Sequence, residues 1–270
     1  MISHEHKCIF VHIPKNAGSS VERAFGFSDI YHQGSARHAP PFSMRGYWGG
    51  SRPNMEYPFK KLYERPHHNP SYGRHFDEYC KFAIVRNPWS RLVSTYKYDF
   101  KLMNYSDEDL VADSNSDSSQ KWLSTRRQHL RELLSKSGDS FKDFVNCLAD
   151  EWFGVNRDLP RPSKKYFSTS KHKDPSSPKQ YSWIKWHEYS QITFVMNERN
   201  EPCLDRVLRF ETLDRDWSNL CGANSWDLEL PHTNKSPGKH YTEYYDDETR
   251  DMVARRYATD IEYFGYEFGR

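Results

Sequence analysis

Two short stretches of the 270-residue chain carry the residue types that hold anions. The first is His12-Ile13-Pro14-Lys15-Asn16-Ala17-Gly18-Ser19-Ser20. A helix that starts straight after a strand presents unpaired backbone N–H groups and the positive end of its dipole. Gly18 lets the backbone approach an anion closely, Ser19 and Ser20 add hydroxyl donors, and Lys15 brings a mobile ammonium to the same place. The nucleoside-triphosphate spelling GxxxxGK(S/T) is absent, because Lys15 precedes the glycine. No acidic residue ends the apolar runs at 82–85 or 192–196 in the manner of a magnesium ligand. Ordinary ATP hydrolysis is therefore disfavoured and another anionic ligand favoured. The plain alternative is a lysine-bearing turn that binds nothing.

The second stretch is Arg86-Asn87-Pro88-Trp89-Ser90-Arg91-Leu92-Val93-Ser94-Thr95-Tyr96. It repeats the design of strand, turn and helix. Arg86 falls at the carboxyl end of a strand, where open α/β sheets bind ligands, and a guanidinium grips a phosphate through two parallel hydrogen bonds. Ser94 follows about two helical turns later. Two anion-binding turns on neighbouring strand ends imply a ligand with two separated anionic groups.

The elements that must position these turns are legible around them. Residues 7–13 and 81–86 read as short buried strands, each followed by a helix, the second running from Trp89 to about Leu102 with Pro88 in its first turn. Further apolar runs at 192–196 and 207–210 predict two more strands. Residues 140–153 predict an amphipathic helix with Phe141, Phe144, Val145 and Leu148 on one face and Ser140 as its N-cap. Residues 242–264 have helical spacing as well. Strands alternating with helices give an α/β fold, with a P-loop-like parallel sheet flanked by helices. The expectation is one domain over residues 1–270, with polar, mobile insertions near 105–120 and 161–180.

These two motifs together resemble the sulfotransferases that use 3′-phosphoadenylyl sulfate, in particular the glycan sulfotransferase branch and its bacterial relatives. In that family a strand–HIPKxAG(S/T)S–helix loop binds the 5′-phosphosulfate, and a strand followed by R(N/H/D)PxxR(L/V)(V/L)SxY binds the 3′-phosphate. Residues 12–20 and 86–96 match. The runs 207–213, 230–236 and 257–266 are similar to the family's carboxyl end. The resemblance implies that Lys15 contacts the bridging oxygen and the transferring group, that Asn16, Ala17, Gly18, Ser19 and Ser20 cradle the 5′-phosphate, and that Arg86 and Ser94 hold the 3′-phosphate. Lys235 and Ser236 are further cofactor contacts by the same resemblance. The resemblance further implies 3′-phosphoadenosine 5′-phosphate as the product and no metal requirement.

An acceptor hydroxyl loses its proton during such a transfer, which asks for a base with a pKa near neutrality. Of 13 His, His38 is the first choice, since relatives carry a His after a basic residue between the two motifs. His67 and His68 are the alternatives, and His12 is expected to pack beside the strand end. The set shows no HExxH and no Cys partner spacing, so a metal site is not indicated.

Composition narrows the classes further. Basic and acidic side chains number 39 and 37, a net charge of +2, and mean hydropathy is −0.97, which excludes a membrane-embedded chain and gives no sign of a nucleic-acid binder. The near-neutral total hides segregation, because residues 1–100 and 155–186 each carry +6. The second of these blocks suits an anionic glycan, and Tyr47, Trp48, Trp183 and Trp186 are aromatics that stack on sugars or, more simply, fill the core. Aliphatic residues are few, and 16 Phe, 18 Tyr and 8 Trp supply the missing apolar mass. The five cysteines are widely spaced and read as free thiols, with Cys8 a core residue. The expected activity is an O-sulfotransferase moving a sulfuryl group to a hydroxyl, on a carbohydrate acceptor. The alternatives are a small-molecule or lipid sulfotransferase, an idle nucleotide-binding module and, disfavoured by its missing motif, a nucleotide kinase. No signal peptide or anchor opens the sequence, so the expected location is cytoplasmic, with a Golgi-luminal chain trimmed of its anchor as the alternative.

Overall fold

Four strands build the sheet, in the order β1 (Ile2–Ser3), β2 (Cys8–Val11), β3 (Cys80–Val85) and β4 (Arg206–Arg209). The structure is a computed structural model and describes residues 2–3, 5–26, 78–112, 138, 140–153, 190–196, 201–231 and 239–270, with part of 120–131. β1 runs antiparallel to β2, whereas β2, β3 and β4 are parallel, with Phe10 opposite Phe82 and Val85 opposite Arg209. The predicted α/β fold with a helix-flanked parallel sheet is what forms.

Both faces of β2 and β3 are covered, which explains why their sequences are continuous apolar runs. Ile9, Val11, Ala83 and Val85 point to one side and pack with Phe194, Val195, Phe264 and Tyr266. Cys8, Phe10, Phe82 and Ile84 point to the other and meet Val21, Leu208, Trp217 and Leu220. Aromatic rings fill this second layer, with Phe10 and Phe82 5.0 Å apart and Phe25 edge-on to Trp217 and Trp226. The five cysteines are free, and burial pushes the Cys8 thiol up to about 12.

Helix α1 (Gly18–Ala24) follows β2, and α2 (Pro88–Met103) follows β3. Asn87 caps α2, its Oδ1 accepting from Trp89 N and Ser90 N, and Pro88 takes the first turn. Helix α3 spans Asp107–Ala112, inside the segment read as a mobile loop; Ser106 Oγ accepts from Asp109 N while Asp109 Oδ2 accepts from Ser106 N. That reciprocal cap lets a Ser- and Asp-rich stretch start a helix instead of a loop. Helix α4 (Phe141–Phe153) has the predicted Ser140 cap, with Asp143 N donating to Ser140 Oγ. Its apolar face packs on Trp89, Leu92 and Val93 of α2 and on Met252 and Val253.

The run at 192–196 is not a strand. Gln191–Phe194 form a 3-10 turn, and Met196 makes only an isolated bridge to Pro202. Asp260 decides this: its carboxylate accepts from Gln191 N, Ile192 N and Ser190 Oγ, which caps a helical turn and removes these groups from any ladder. After β4 comes α5 (Leu213–Asn224). The predicted helix at 242–264 is divided into α6 (Asp247–Arg256) and α7 (Ala258–Phe264), broken at Tyr257. Among the described residues no helix is long and apolar enough to cross a membrane. The segment 161–180 lies outside the described residues.

Candidate active site

The turn between β2 and α1 is built on two left-handed residues that are not glycine, Lys15 (φ 71°) and Ala17 (φ 61°). Such backbone costs about 1–2 kcal/mol per residue and persists only where its surroundings impose it. Arg91, 2% exposed on α2, donates through Nε to Pro14 O at 3.2 Å, and Arg86 donates through a terminal nitrogen to Lys15 O at 3.1 Å. The carbonyls of the turn are thus pulled towards α2. Its amides are left over: the first to find an acceptor among the described residues are those of Ser20 and Val21, both bonded to Ala17 O. Among the described residues the N–H groups of 15–19 thus meet no main-chain acceptor in good hydrogen-bond geometry, an arrangement of the kind that receives an anion.

Gly18 has a second reason to be glycine. A Cβ there would lie 1.9 Å from His12 Nε2. His12 is buried as expected, stacked on Phe10 and donating to Glu22 Oε1 at 2.9 Å, so its ring cannot yield. The Asn16 side chain is not turned towards a ligand either. Its Nδ2 donates to Ile84 O at 2.8 Å and to Gln191 Oε1 at 2.7 Å, while its Oδ1 is buried with no hydrogen bond among the described residues. What Asn16 offers an anion is its main-chain N–H.

The charged groups lie along one face of α2. Ser90, Ser94 and Tyr98 are spaced by four and stand in a row about 12 Å long. At one end Arg86 donates to Ser90 Oγ at 3.0 Å and lies 4.0 Å above the Phe210 ring. At the other end the Lys15 ammonium sits 4.2 Å from the centre of the Tyr98 ring. Ser94 is between them, half-buried, with no hydrogen bond among the described residues. Burial pulls the Lys15 ammonium down to about 8; Asp99 works against this, and Arg126 and Arg86 reinforce it. Asp99 is itself held by a buried two-pronged pair with Arg126, with nitrogen–oxygen distances of 2.5–2.9 Å. Burial likewise lowers Arg86, to about 10, with Glu211 opposing, so the guanidinium stays charged at neutral pH.

The structure therefore brings Lys15, Asn16, Ala17, Gly18, Ser19, Ser20, Arg86 and Ser94 to one edge of the sheet. His38, His67, His68, Lys235, Ser236, the four sugar-stacking candidates and the basic block at 155–186 lie outside the described residues. Several residues were not foreseen. Tyr98 was readable, since it continues the i, i+4 spacing of Ser90 and Ser94. Glu211, which accepts from Asn87 N at 2.7 Å and from the Tyr266 hydroxyl, and Gln191, at the junction of both turns, gave no local signal.

A lysine and an arginine thus stand at adjacent strand ends of a parallel sheet, beside main-chain amides that meet no main-chain acceptor among the described residues. The chain belongs to the sulfotransferase family, whose model matches residues 1–267. Sulfuryl transfer is the reaction of that family, and this chain is a transferase of that kind. No curated protein and no solved structure matches it.

Proposed function

We propose that the chain moves a sulfuryl group from 3′-phosphoadenylyl sulfate to a hydroxyl of a carbohydrate. The observation that supports this most is the Ser90–Ser94–Tyr98 face of α2, with Arg86 at one end and Lys15 at the other, beside the main-chain amides of residues 15–19. These residues fit a donor with two separated phosphate groups. Such a donor, when bound, supplies an activated sulfuryl group joined to the 5′-phosphate through one oxygen. The amides of residues 15–19 hold the 5′-phosphate, while Arg86 and Ser94 hold the 3′-phosphate. Lys15 stabilises the negative charge that grows on the bridging oxygen as its bond to sulfur breaks. A base takes the acceptor's hydroxyl proton as the new sulfur–oxygen bond forms, and His38 is the residue proposed for it, with His67 and His68 as alternatives.

The carbohydrate acceptor rests on the sequence, namely the +6 charge of residues 155–186 and the Trp183 and Trp186 among them. The test is transfer from radiolabelled donor to a panel of glycans, steroids and phenols. Label on glycans is the expected result. Label confined to steroids or phenols refutes the acceptor class, and no label on any acceptor despite tight donor binding refutes the enzymatic reading.

A further inference from the structure

We propose that Gln191 is a positioning residue that sets donor discrimination: it fixes the spacing of the two anion-binding turns, and so the preference for a nucleotide phosphorylated at both the 5′ and 3′ positions. The proposal rests on the reading above, in which the Lys15 turn takes the 5′ group and Arg86 the 3′ group.

Gln191 belongs to neither turn. It opens the 3-10 turn Gln191–Phe194 and is 0% exposed. Its side-chain oxygen accepts from Arg86 N at 2.9 Å and from Asn16 Nδ2 at 2.7 Å, and its side-chain nitrogen donates to Arg86 O at 2.7 Å. The last paired residue of β3 is Val85, opposite Arg209, so ladder pairing has ended when the chain reaches Arg86. The primary amide of Gln191 takes over there. It satisfies both main-chain groups of Arg86 as a neighbouring peptide would, and with the same oxygen it ties in the Lys15 turn. Asn16 completes the tie by donating to Ile84 O.

The strut is itself anchored. Gln191 N donates to Asp260 Oδ2 at 2.7 Å, and Asp260 Oδ1 accepts from Ile192 N at 2.9 Å and from Ser190 Oγ. Asp260 is buried on α7, a separate element. The direction in which Arg86 leaves the strand is therefore set by Gln191 on its main chain and by Ser90 and Lys15 O on its guanidinium. A small rotation of the main chain at Arg86 is amplified at the tip of so long a side chain. The 5′ turn has other supports, among them Arg91 on Pro14 O and the packing of His12 against Gly18. Loss of the strut should thus disturb the 3′ group first, whereas a residue that only stabilised the fold would affect both groups alike.

The test is the binding of adenosine 3′,5′-bisphosphate and of adenosine 5′-phosphate to the full chain, by calorimetry, below the melting temperature of every variant. Gln191→Met keeps length and volume but loses all three side-chain bonds. Gln191→Asn keeps a neutral amide but shortens its reach by one methylene, and carries the test should the methionine variant not fold. In the wild type the bisphosphate is expected to bind more tightly. In the variants that preference should fall about tenfold or more, the worth of one hydrogen bond to a charged group, with affinity for the 5′-phosphate nearly unchanged. A preference retained in the variants, or equal loss for both nucleotides, overturns the role of Gln191 alone. A wild type with no preference overturns the donor assignment and this proposal with it.

Discussion

Replacing Lys15 with methionine should make the ligand-free protein more stable while it removes the activity. The drop from 10.5 to about 8 means that burying this ammonium in its charged form costs about 3 kcal/mol at most. The Tyr98 ring, 4.2 Å away, returns about 1 kcal/mol through its negative face, leaving a net cost of about 2 kcal/mol. Methionine keeps an unbranched stem over the same ring and carries no charge. At pH 7 the variant should melt about 4–8 °C higher than the wild type. The difference should also depend on pH. Below about pH 8 the folded and unfolded wild-type chains both carry the proton, so the full cost is present. Between about 8 and 10.5 the folded chain releases it while the unfolded chain keeps it, so wild-type stability rises with pH and the gap closes by more than half near pH 10. Thermal melts of both proteins from pH 6 to 10, read as a difference so that other titrating groups cancel, measure this. Transfer from radiolabelled donor should fall by about 100-fold or more in the variant. A variant that melts lower at pH 7, or a gap that stays constant across the range, refutes the account of Lys15 as a charge held at a cost for use on the donor.

Arg86→Ala should weaken adenosine 3′,5′-bisphosphate by about tenfold to a hundredfold and leave adenosine 5′-phosphate little changed; equal losses in calorimetry remove Arg86 from the 3′ site. Gly18→Ala puts a methyl group on the His12 ring and should cost about 1–3 kcal/mol together with donor affinity; His12→Ala in the same chain should restore part of both, and a neutral single variant in thermal melts contradicts the packing. Asp99→Ala strands Arg126 in the interior and should lower stability by about 3–5 kcal/mol, whereas Asp99→Leu with Arg126→Leu should recover most of it; a melting temperature unchanged in the single variant denies the buried pair its role.

The parts of the candidate site that were legible in the sequence are those written locally. Lys15, Gly18, Arg86 and Ser94 lie in strand–turn–helix units whose signals fit within a dozen residues, and Asn87-Pro88 announces a helix start by chemistry alone. The segment at 192–196 shows where such reading stops. Its residues Ile192, Thr193, Phe194 and Val195 have strand-like preferences, yet Asp260, 68 positions later than Ile192, folds them into a turn. Gln191 is hidden for the same reason, since its partners Asn16 and Arg86 precede it by 175 and 105 positions and come together only through the sheet. Gly18 was legible as a glycine that something must approach, but the need for it to accommodate the His12 ring depends on how that ring is stacked and bonded.

The left-handed pair Lys15 and Ala17 has a consequence for the kinetics of recognition. A glycine at position 17 would adopt the same backbone without strain, but it would leave the turn many conformations to choose from before a ligand arrives. With alanine there, that freedom is surrendered once, when the chain folds, and the amides of residues 15–19 are already aligned at first encounter. If the proposed donor binds here, its capture needs little rearrangement, and stopped-flow binding should show slower association for Ala17→Gly than for the wild type.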